Sequence, residues 1–335
     1  MKVLLSIYVI CVSSLSFGQY ALVWADEFDD NELNLNKWSY DLGQGDWGWG
    51  NNELQFYTNN AANINVDTGY LHIIAKSQQF AGANYTSAKI KTKDLYEFTY
   101  GRVEARIKIP YGQGIWPAFW MLGANIDDVS WPYCGEIDVM EHINNETVIH
   151  GTHHYDNNGH VYSGNSVVCD ASEFQTYSIE WSPNSIKWYL NGIMYFQTSI
   201  GSSAVSKEEF HSPFYLILNL AVGGNWPGNP DGSTQFPATM MVDYVRVYQN
   251  EFTLVNENSM DNNFKVYPNP ANDLLTISKN QFDANYSIFN IHGQEIVSVL
   301  NKNPTIDISY LDEGVYYIKI QKSNGSYSTS VFVKQ

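Results

Sequence analysis

Cysteine and basic residues are scarce in this sequence. Its 335 residues include 3 Cys, and 18 Lys and Arg stand against 35 Asp and Glu, which gives a formal net charge of −17. Nucleic acids and anionic membranes attract proteins through basic patches, so this charge balance argues against both as partners. Beyond Cys11, only Cys134 and Cys169 remain. Export would permit a disulfide between them, and unpaired buried thiols are the alternative.

Long apolar runs are scarce as well. The run Val3–Leu15 follows Lys2 and precedes the small-residue site Ser16-Phe17-Gly18, which is typical of a secretory signal peptide over residues 1–18. No other stretch approaches about 18 apolar residues, so the sequence predicts no transmembrane segment. We therefore expect export through the periplasm, to a secreted or cell-surface-attached location.

A helical repeat of apolar residues is absent too. Short runs of apolar, β-branched and aromatic residues are instead separated by Gly, Asn, Asp and Pro. This pattern predicts an all-β protein built as an antiparallel sandwich. The clearest predicted strands in the first 250 residues are Tyr70–Ala75, Gly101–Ile109, Glu136–His142, Val148–Tyr155, Phe174–Trp181, Ser185–Leu190, Pro213–Ala221 and Met241–Tyr248.

Tryptophan is absent from the last third of the chain. All ten Trp lie between Trp24 and Trp226, and this change in composition predicts a domain boundary near residue 250. We expect a first domain over residues 19–250, a polar linker over 251–262 and a small second β-sandwich domain over 263–335. The predicted strands of the second domain are Leu274–Ser278, Tyr286–Ile291, Thr305–Ile308, Val315–Gln321 and Tyr327–Lys334.

Three acidic residues lie close together in the segment Gly135–His142. Side chains on a strand alternate faces with period two, so Glu136 and Asp138 share a face, whereas Glu141 should point the other way. One extra residue in a β-bulge near Val139-Met140 would return Glu141 to the face of the other two. The spacing therefore predicts a bulged strand that directs all three acids into one cleft.

This arrangement suits glycoside hydrolysis with retention of configuration. That reaction needs two carboxyl groups about 5–5.5 Å apart, one as nucleophile and one as proton donor. A third carboxylate between them raises the proton affinity of its neighbours and helps to keep one of the glutamic acids protonated. Taken alone, the three acids also fit a solvated strand face or part of a metal site.

The sequence resembles glycoside hydrolase family 16, and within it the bulged endo-β-1,3-glucanases known as laminarinases. The resemblance runs from about Tyr20 to Tyr248. Four segments carry it in order: Trp49–Tyr57, Gly114–Leu122, Trp131–Glu141 and Asn219–Gly228. It implies a β-jelly roll with a substrate cleft on its concave sheet.

The resemblance also implies the reaction. Glu136 would be the nucleophile, Glu141 the acid/base and Asp138 an assisting residue, in a retaining endo-hydrolase of laminarin-like β-1,3-glucan that needs no catalytic cofactor. A marine galactan hydrolase of the agarase type and a β-1,3-1,4-glucanase are the alternatives within the family. A non-catalytic glucan-binding protein is disfavoured, because both glutamates are present.

Further residues are implied to contact the sugar, partly because apolar sugar faces pack on aromatic rings. The candidates are Asn51, Glu104, Arg106, Trp116, Trp120, Trp131, His154 and Trp226. Glu104 and Arg106 alternate with apolar residues, so a solvent-exposed outer face is their alternative placement. A zinc site built from neighbouring histidines is the alternative for His154, although strand alternation separates His153 from it.

The resemblance also implies a metal site outside the cleft. A structural calcium ion on the convex face would bind Glu27, the carbonyl group of Gly69 and Asp243, because oxygen ligands suit a hard cation. Such an ion would stabilise the fold without taking part in catalysis.

The C-terminal segment resembles the sorting domain of the type IX secretion system. The resemblance rests on Tyr267-Pro268-Asn269-Pro270, the turn Asn290–Glu295 and the segment Gly314–Tyr317. The secretion machinery is therefore an expected partner besides the β-glucan, and we expect the protein to be a monomer. A carbohydrate-binding module is the alternative, although this segment has no Trp to serve as a sugar platform.

Overall fold

The computed structural model describes residues 20–201, 207–250, 265–277, 285–290, 295–300, 305–321 and 327–335. The chain separates into two units, Met1–Glu251 and Phe252–Gln335. The predicted signal peptide over residues 1–18 and the predicted linker over 251–262 lie outside the described residues. Among the described residues, no helix combines the length and the apolar character that crossing a membrane requires.

The described residues of the first unit form two sheets, and the larger one is termed the back sheet. Its ten strands within the described residues are β1 (Tyr20–Asp26), β3 (Gln55–Tyr57), β4 (Ile64–Asp67), β5 (Tyr70–Phe80), β6 (Ala83–Ser87), β8 (Gly101–Lys108), β13 (Gln175–Ser182), β14 (Ser185–Leu190), β15 (Ile193–Ser199) and β17 (Ala238–Asn250). The spatial order is β15-β14-β13-β8-β17-β5-β6-β3, and β1 and β4 pair with β17 and β5.

The other sheet of this unit is termed the front sheet. Its seven described strands are β2 (Ser39–Asp41), β7 (Lys89–Lys91), β9 (Ile115–Gly123), β10 (Glu136–Glu141), β11 (Val148–Asp156), β12 (His160–Val168) and β16 (Phe214–Val222). They follow the order β12-β11-β10-β9-β16-β7-β2. A short helix, α1 (Ile126–Val129), and a helical turn at Glu208–His211 connect strands.

The two sheets share one core, because each presents an apolar face to the other. In β8, Val103, Ala105 and Ile107 are fully buried and alternate with partly exposed polar residues. From the front sheet, Phe119 and Ile137 join the same buried cluster. Burial of a large apolar side chain contributes about 1.5–3 kcal/mol, so this shared core is the main source of the sandwich's stability. The all-β sandwich predicted from the sequence is confirmed.

The described residues of the second unit form two small sheets. Strands β18 (Val266–Tyr267), β19 (Leu274–Ile277) and β22 (Thr305–Asp307) form one of them. Strands β20 (Asn285–Asn290), β21 (Glu295–Leu300), β23 (Gly314–Gln321) and β24 (Tyr327–Lys334) form the other. A separate buried cluster that includes Leu275, Ile288 and Phe332 forms its core. Most of the predicted turn Asn290–Glu295 lies outside the described residues.

Candidate active site

The acidic strand β10 contains the bulge that its spacing predicts. Asp138 pairs with Thr152 and Glu141 with His150, so three steps along β10 match two steps along β11. Val139 is 1% exposed and the next residue is fully buried, so both belong to the core. Glu141 therefore returns to the face that carries Glu136 and Asp138.

Two contacts hold the backbone of this strand. The indole Nε1 of Trp188 donates a hydrogen bond of 2.7 Å to the carbonyl oxygen of Asp138, next to the bulge. Gly135, just before Glu136, has φ +75°, and a Cβ atom there would lie 2.8 Å from Cβ of Glu209. A glycine is required at that position, both for the left-handed backbone and for the close approach.

The three acids lie in a cleft of about 940 Å³ on the front sheet. Aromatic and polar side chains form most of its walls. The lining includes Trp49, Asn51, Glu53, Tyr57, Lys89, Trp116, Trp120, Trp131, His150, Thr152, His154, His160, Tyr162, Asn219 and Trp226. A concave site with aromatic walls and convergent carboxylates is typical of a polysaccharide-binding active site.

Each glutamate of the set has an indole donor and a shifted proton affinity. Trp116 Nε1 donates to Glu141 Oε1 at 3.0 Å, and Trp131 Nε1 donates to Glu136 Oε2 at 2.9 Å. Burial and then the charge of Asp138 raise the pKa of Glu136 to about 7. Burial, followed by the charges of Asp138 and Glu136, raises the pKa of Glu141 well above its usual range. Both shifts favour retention of a proton in the site.

His154 supplies a positive charge beside the acids. Its Nε2 lies 3.2 Å from Oδ2 of Asp138 and 3.9 Å from Oε1 of Glu136. Burial disfavours the charged imidazole, but the pairing with Asp138 and the charges of the glutamates outweigh burial and raise the pKa of His154 to about 9. His154 is therefore cationic at neutral pH and partly balances the three acids.

The other predicted binding residues of the cleft are aromatic, apart from Asn51. Trp120 Nε1 donates to Oδ1 of Asn219 at 2.7 Å, which fixes that ring in the floor. Trp131 and Trp226 are 43% and 42% exposed, so their faces are open to a ligand. The backbone carbonyl of Asn51 accepts a hydrogen bond from the N–H of Asn225, which joins two loops at the cleft rim.

Two charged residues of the cleft are absent from the set proposed from the sequence. The ammonium group of Lys89 lies 3.4 Å from Oδ2 of Asp41 and 4.3 Å from the ring centre of Trp49. Glu53 accepts from Nε2 of Gln55 at 2.6 Å, and burial raises its pKa. Glu53 lies within Trp49–Tyr57, one of the four segments that carry the family resemblance. That segment is the sequence signal that identifies Glu53 as a candidate cleft residue.

The prediction that Glu104 and Arg106 face the cleft is wrong. Both belong to β8 of the back sheet, on the face opposite the shared core. Glu104 accepts from Arg102 at 2.6 Å, and Arg106 pairs with Asp243. The alternation fixed which face carries the charges, but strand pairing across distant parts of the chain placed that face on the other side of the sandwich.

The predicted calcium ligands also have protein partners. Arg246 donates two hydrogen bonds, of 2.8 and 2.7 Å, to the carboxylate of Glu27, and Arg106 binds Asp243. As these side chains stand they do not fit a calcium ion, because an arginine already neutralises each carboxylate. Calcium binding at Glu27, Gly69 and Asp243 stays a prediction, and it requires displacement of two guanidinium groups.

The structure also bears on the alternative zinc site and on the state of the two cysteines. His153 packs among aromatic rings in the interior, away from His154, and the described histidines do not form a zinc cluster. Among the described residues, the one set of three His, Cys, Asp or Glu side chains close enough to share a metal ion is Glu136, Asp138 and His154. Cys134 and Cys169 are both buried free thiols.

Comparison with known families follows the same division of the chain. The family model described as glycosyl hydrolases family 16 matches residues 43–246. A second model, the secretion system C-terminal sorting domain, matches residues 265–334.

Individual proteins are also similar to this chain. The clotting factor G alpha subunit of Tachypleus tridentatus is 36% identical over 90% of this chain, which spans 44% of that protein's length. A beta-glucanase of Rhodothermus marinus is 40% identical over 69% of this chain and 85% of its own length. The catalytic domain of an endo-1,3-beta-glucanase (laminarinase) from Thermotoga petrophila is 41% identical, with a TM-score of 0.63, over 70% of this chain and all of that chain.

Proposed function

This chain belongs to glycosyl hydrolases family 16, and from that premise we propose that it is a retaining endo-hydrolase of laminarin-like β-1,3-glucan. One observation carries the proposal: the bulge in β10 brings Glu136, Asp138 and Glu141 onto one face, inside a cleft with tryptophan walls. The solved laminarinase that resembles this chain supports the choice of glucan.

The reaction proceeds through two displacements. Glu141 holds a proton because burial and its acidic neighbours raise its pKa, and it protonates the leaving glycosidic oxygen as Glu136 attacks the anomeric carbon. The resulting glycosyl-enzyme is then hydrolysed by a water molecule that Glu141 deprotonates. Two inversions give overall retention, and no cofactor is required.

Asp138 and His154 control the charge of the set. The negative charge of Asp138 raises the proton affinity of both glutamates, and the imidazolium of His154, 3.2 Å from Asp138, limits that effect. Trp131 supports the ionised nucleophile by donating its indole N–H to Glu136. The rings of Trp116, Trp131 and Trp226 bind the apolar faces of successive sugar units.

The experiment that tests this function is a reducing-end assay across laminarin, lichenan, agarose and xyloglucan. We expect release of oligosaccharides from laminarin, with products that first appear in the β configuration by proton NMR. Cleavage of agarose with laminarin untouched would instead assign the chain to galactan hydrolysis. Preferential cleavage of lichenan would indicate a β-1,3-1,4-glucanase.

The second unit is matched by a secretion sorting domain, and we propose that it directs a monomeric enzyme through the periplasm to the medium or the cell surface. The candidate catalytic and binding residues all precede residue 250, and the second unit has its own buried core. A chain ending at Asn250 should therefore hydrolyse laminarin at the full rate but accumulate in the periplasm of the native host. Normal secretion of that chain, together with loss of its retention on particulate glucan, would indicate a carbohydrate-binding module instead.

A further inference from the structure

His160 begins the edge strand of the front sheet and borders the catalytic cleft. It follows the tight hairpin turn that joins β11 to β12. In that turn the N–H of Asn157 donates to the carbonyl of Gly159 at 2.9 Å, and the N–H of Gly159 donates to Oδ1 of Asp156 at 3.0 Å. The backbone that carries His160 is therefore fixed, although its side chain is exposed.

The first contact of His160 is with His154. The two ring planes are nearly parallel, at 10°, with centroids 5.1 Å apart, and Nδ1 of His154 lies 2.9 Å from Nε2 of His160, so the rings meet edge to edge. A cationic His154 carries a proton on both ring nitrogens, so its Nδ1–H donates and Nε2 of His160 accepts. Burial and the positive charge of His154 lower the pKa of His160, which keeps it a neutral acceptor.

The second contact is with the ring that supports the nucleophile. The centroids of His160 and Trp131 are 4.3 Å apart, and Trp131 donates to Glu136. A series of contacts therefore connects the two acids. Glu136 contacts Trp131, Trp131 contacts His160, and His160 contacts His154, which lies beside Asp138. The loop of Trp131 and the hairpin of His154 both contact the imidazole of His160, and the rings of Trp131 and His154 also face each other at 6.2 Å.

We propose that His160 is a positioning residue for the reaction: it accepts the Nδ1–H of His154 and packs against Trp131, and so holds both in place toward Asp138 and Glu136. The inference rests on the proposed function for its kinetic part. It has a structural part, the hydrogen bond between two imidazoles, that is measurable whatever the substrate proves to be.

The direct test uses the full chain labelled with ¹⁵N-histidine. We expect an NMR coupling across the hydrogen bond between Nδ1 of His154 and Nε2 of His160, and a strongly deshielded Nδ1 proton of His154. These signals need no variant and no activity. A His154 Nδ1 proton that exchanges freely with water, without the coupling, would overturn the proposal.

Two variants separate the role of His160 as a hydrogen-bond acceptor from its packing against Trp131. His160→Gln retains an acceptor near the place of Nε2, whereas His160→Phe retains a ring against Trp131 but accepts nothing. We expect kcat on laminarin to fall about 10-fold in H160F with KM changed less than about two-fold, since one hydrogen bond to a charged group is lost. H160Q should recover most of kcat and retain the deshielded proton of His154.

His72→Phe is the matched control, because His72 lies on β5 of the back sheet, outside the cleft. It should leave kcat and the His154 signal unchanged. Wild-type kcat in H160F with the deshielded proton intact would overturn the proposal. Equal losses in H160F and H160Q with that proton retained in both would also overturn the hydrogen-bond role. Absence of laminarin hydrolysis by the wild type would refute the proposed substrate while leaving the NMR result interpretable.

Discussion

The two outer faces of the sandwich both carry acidic side chains, in opposite surroundings. On the back sheet, Glu104 pairs with Arg102, and Glu27, which directly follows β1, pairs with Arg246 of β17. On the front sheet, no Lys or Arg within the described residues forms an ion pair with any of the three cleft acids. Two indoles donate hydrogen bonds to the glutamates, and the imidazole of His154 forms an ion pair with Asp138.

This difference explains which acids can do chemistry. A guanidinium partner favours the ionised carboxylate and keeps the proton affinity low, which suits a stabilising contact. A buried acid beside other acids, with only a neutral indole donor, holds its proton more tightly and can deliver it to a substrate. Thus the partner and the burial, more than the sequence pattern, distinguish a catalytic acid from a structural one here.

The largest expected effect comes from removal of the nucleophile. Glu136→Gln should lower kcat on laminarin at least about 1,000-fold, because no carboxylate remains to form the glycosyl-enzyme. Glu104→Gln, the same change on the back sheet, should leave kcat unchanged. Comparable losses in both variants would show that the contrast between the faces has no catalytic meaning.

Removal of the proton donor should have a more selective effect. Glu141→Gln should lower kcat on laminarin about 10²–10⁴-fold, the range for loss of general acid catalysis. The first step on an aryl glucoside with an acidic phenol should be affected much less, because that leaving group needs no proton. Burst kinetics on both substrates measure this difference, and equal losses in the first step would contradict the role given to Glu141.

Glu141→Gln and Glu104→Gln should change the stability of the folded protein in opposite directions. The folded-state pKa of Glu141 is raised above its unfolded value, so the contribution of Glu141 to stability is fully present below the unfolded pKa and is lost as pH rises through the folded pKa. Glu141→Gln removes this penalty, and its melting temperature should exceed that of the wild type by more at pH 8 than at pH 5. Each unit of pKa shift corresponds to about 1.4 kcal/mol.

Glu104→Gln should instead destabilise the protein, by about 0.5–1 kcal/mol, because Arg102 and the hydroxyl of Tyr244 lose a charged acceptor. Thermal unfolding of both variants across pH 5–8 checks the pair. A stabilising Glu104→Gln, or a destabilising Glu141→Gln at pH 8, would reverse the comparison.

The smallest expected effect is that of calcium on the back sheet. Because Arg106 and Arg246 already bind Asp243 and Glu27, chelator should lower the melting temperature of the wild type by no more than about 2 °C. Arg106→Ala frees Asp243 and should make the protein more responsive to added calcium. A large chelator effect in the wild type would show that the ion displaces both arginines.

The positions of the strands could be predicted from the sequence more accurately than the partner strands with which each one pairs. The alternation in Arg102–Lys108 correctly identified an apolar inner face, and the spacing of Glu136, Asp138 and Glu141 correctly predicted a bulge. These features depend on local periodicity, which a sequence displays directly. The sheet to which β8 belongs depends on pairing with β13 and β17, more than sixty residues away, and no local pattern encodes it.

The same limit applies to the cleft. The catalytic acids are neighbours in one strand, whereas Lys89 and His160 reach the cleft from separate strands. No local sequence pattern identifies His160, because its contact with Trp131 depends on a hairpin returning past a loop. Residues that act through such contacts require the tertiary structure to be recognised.

The bulge in β10 also affects how this strand can tolerate a change in chain length. Loss of Met140 would leave the order Glu-Ile-Asp-Val-Glu, in which strict alternation alone keeps all three acids on one side without any irregularity. Loss of Ile137 would instead put Asp138 out of phase with Glu136 and turn a carboxylate into the apolar interior. A single-residue deletion after Asp138 thus keeps the three acids on one face, whereas a deletion before Asp138 does not. Gaps that arise during evolution should therefore be confined to the segment between Asp138 and Glu141.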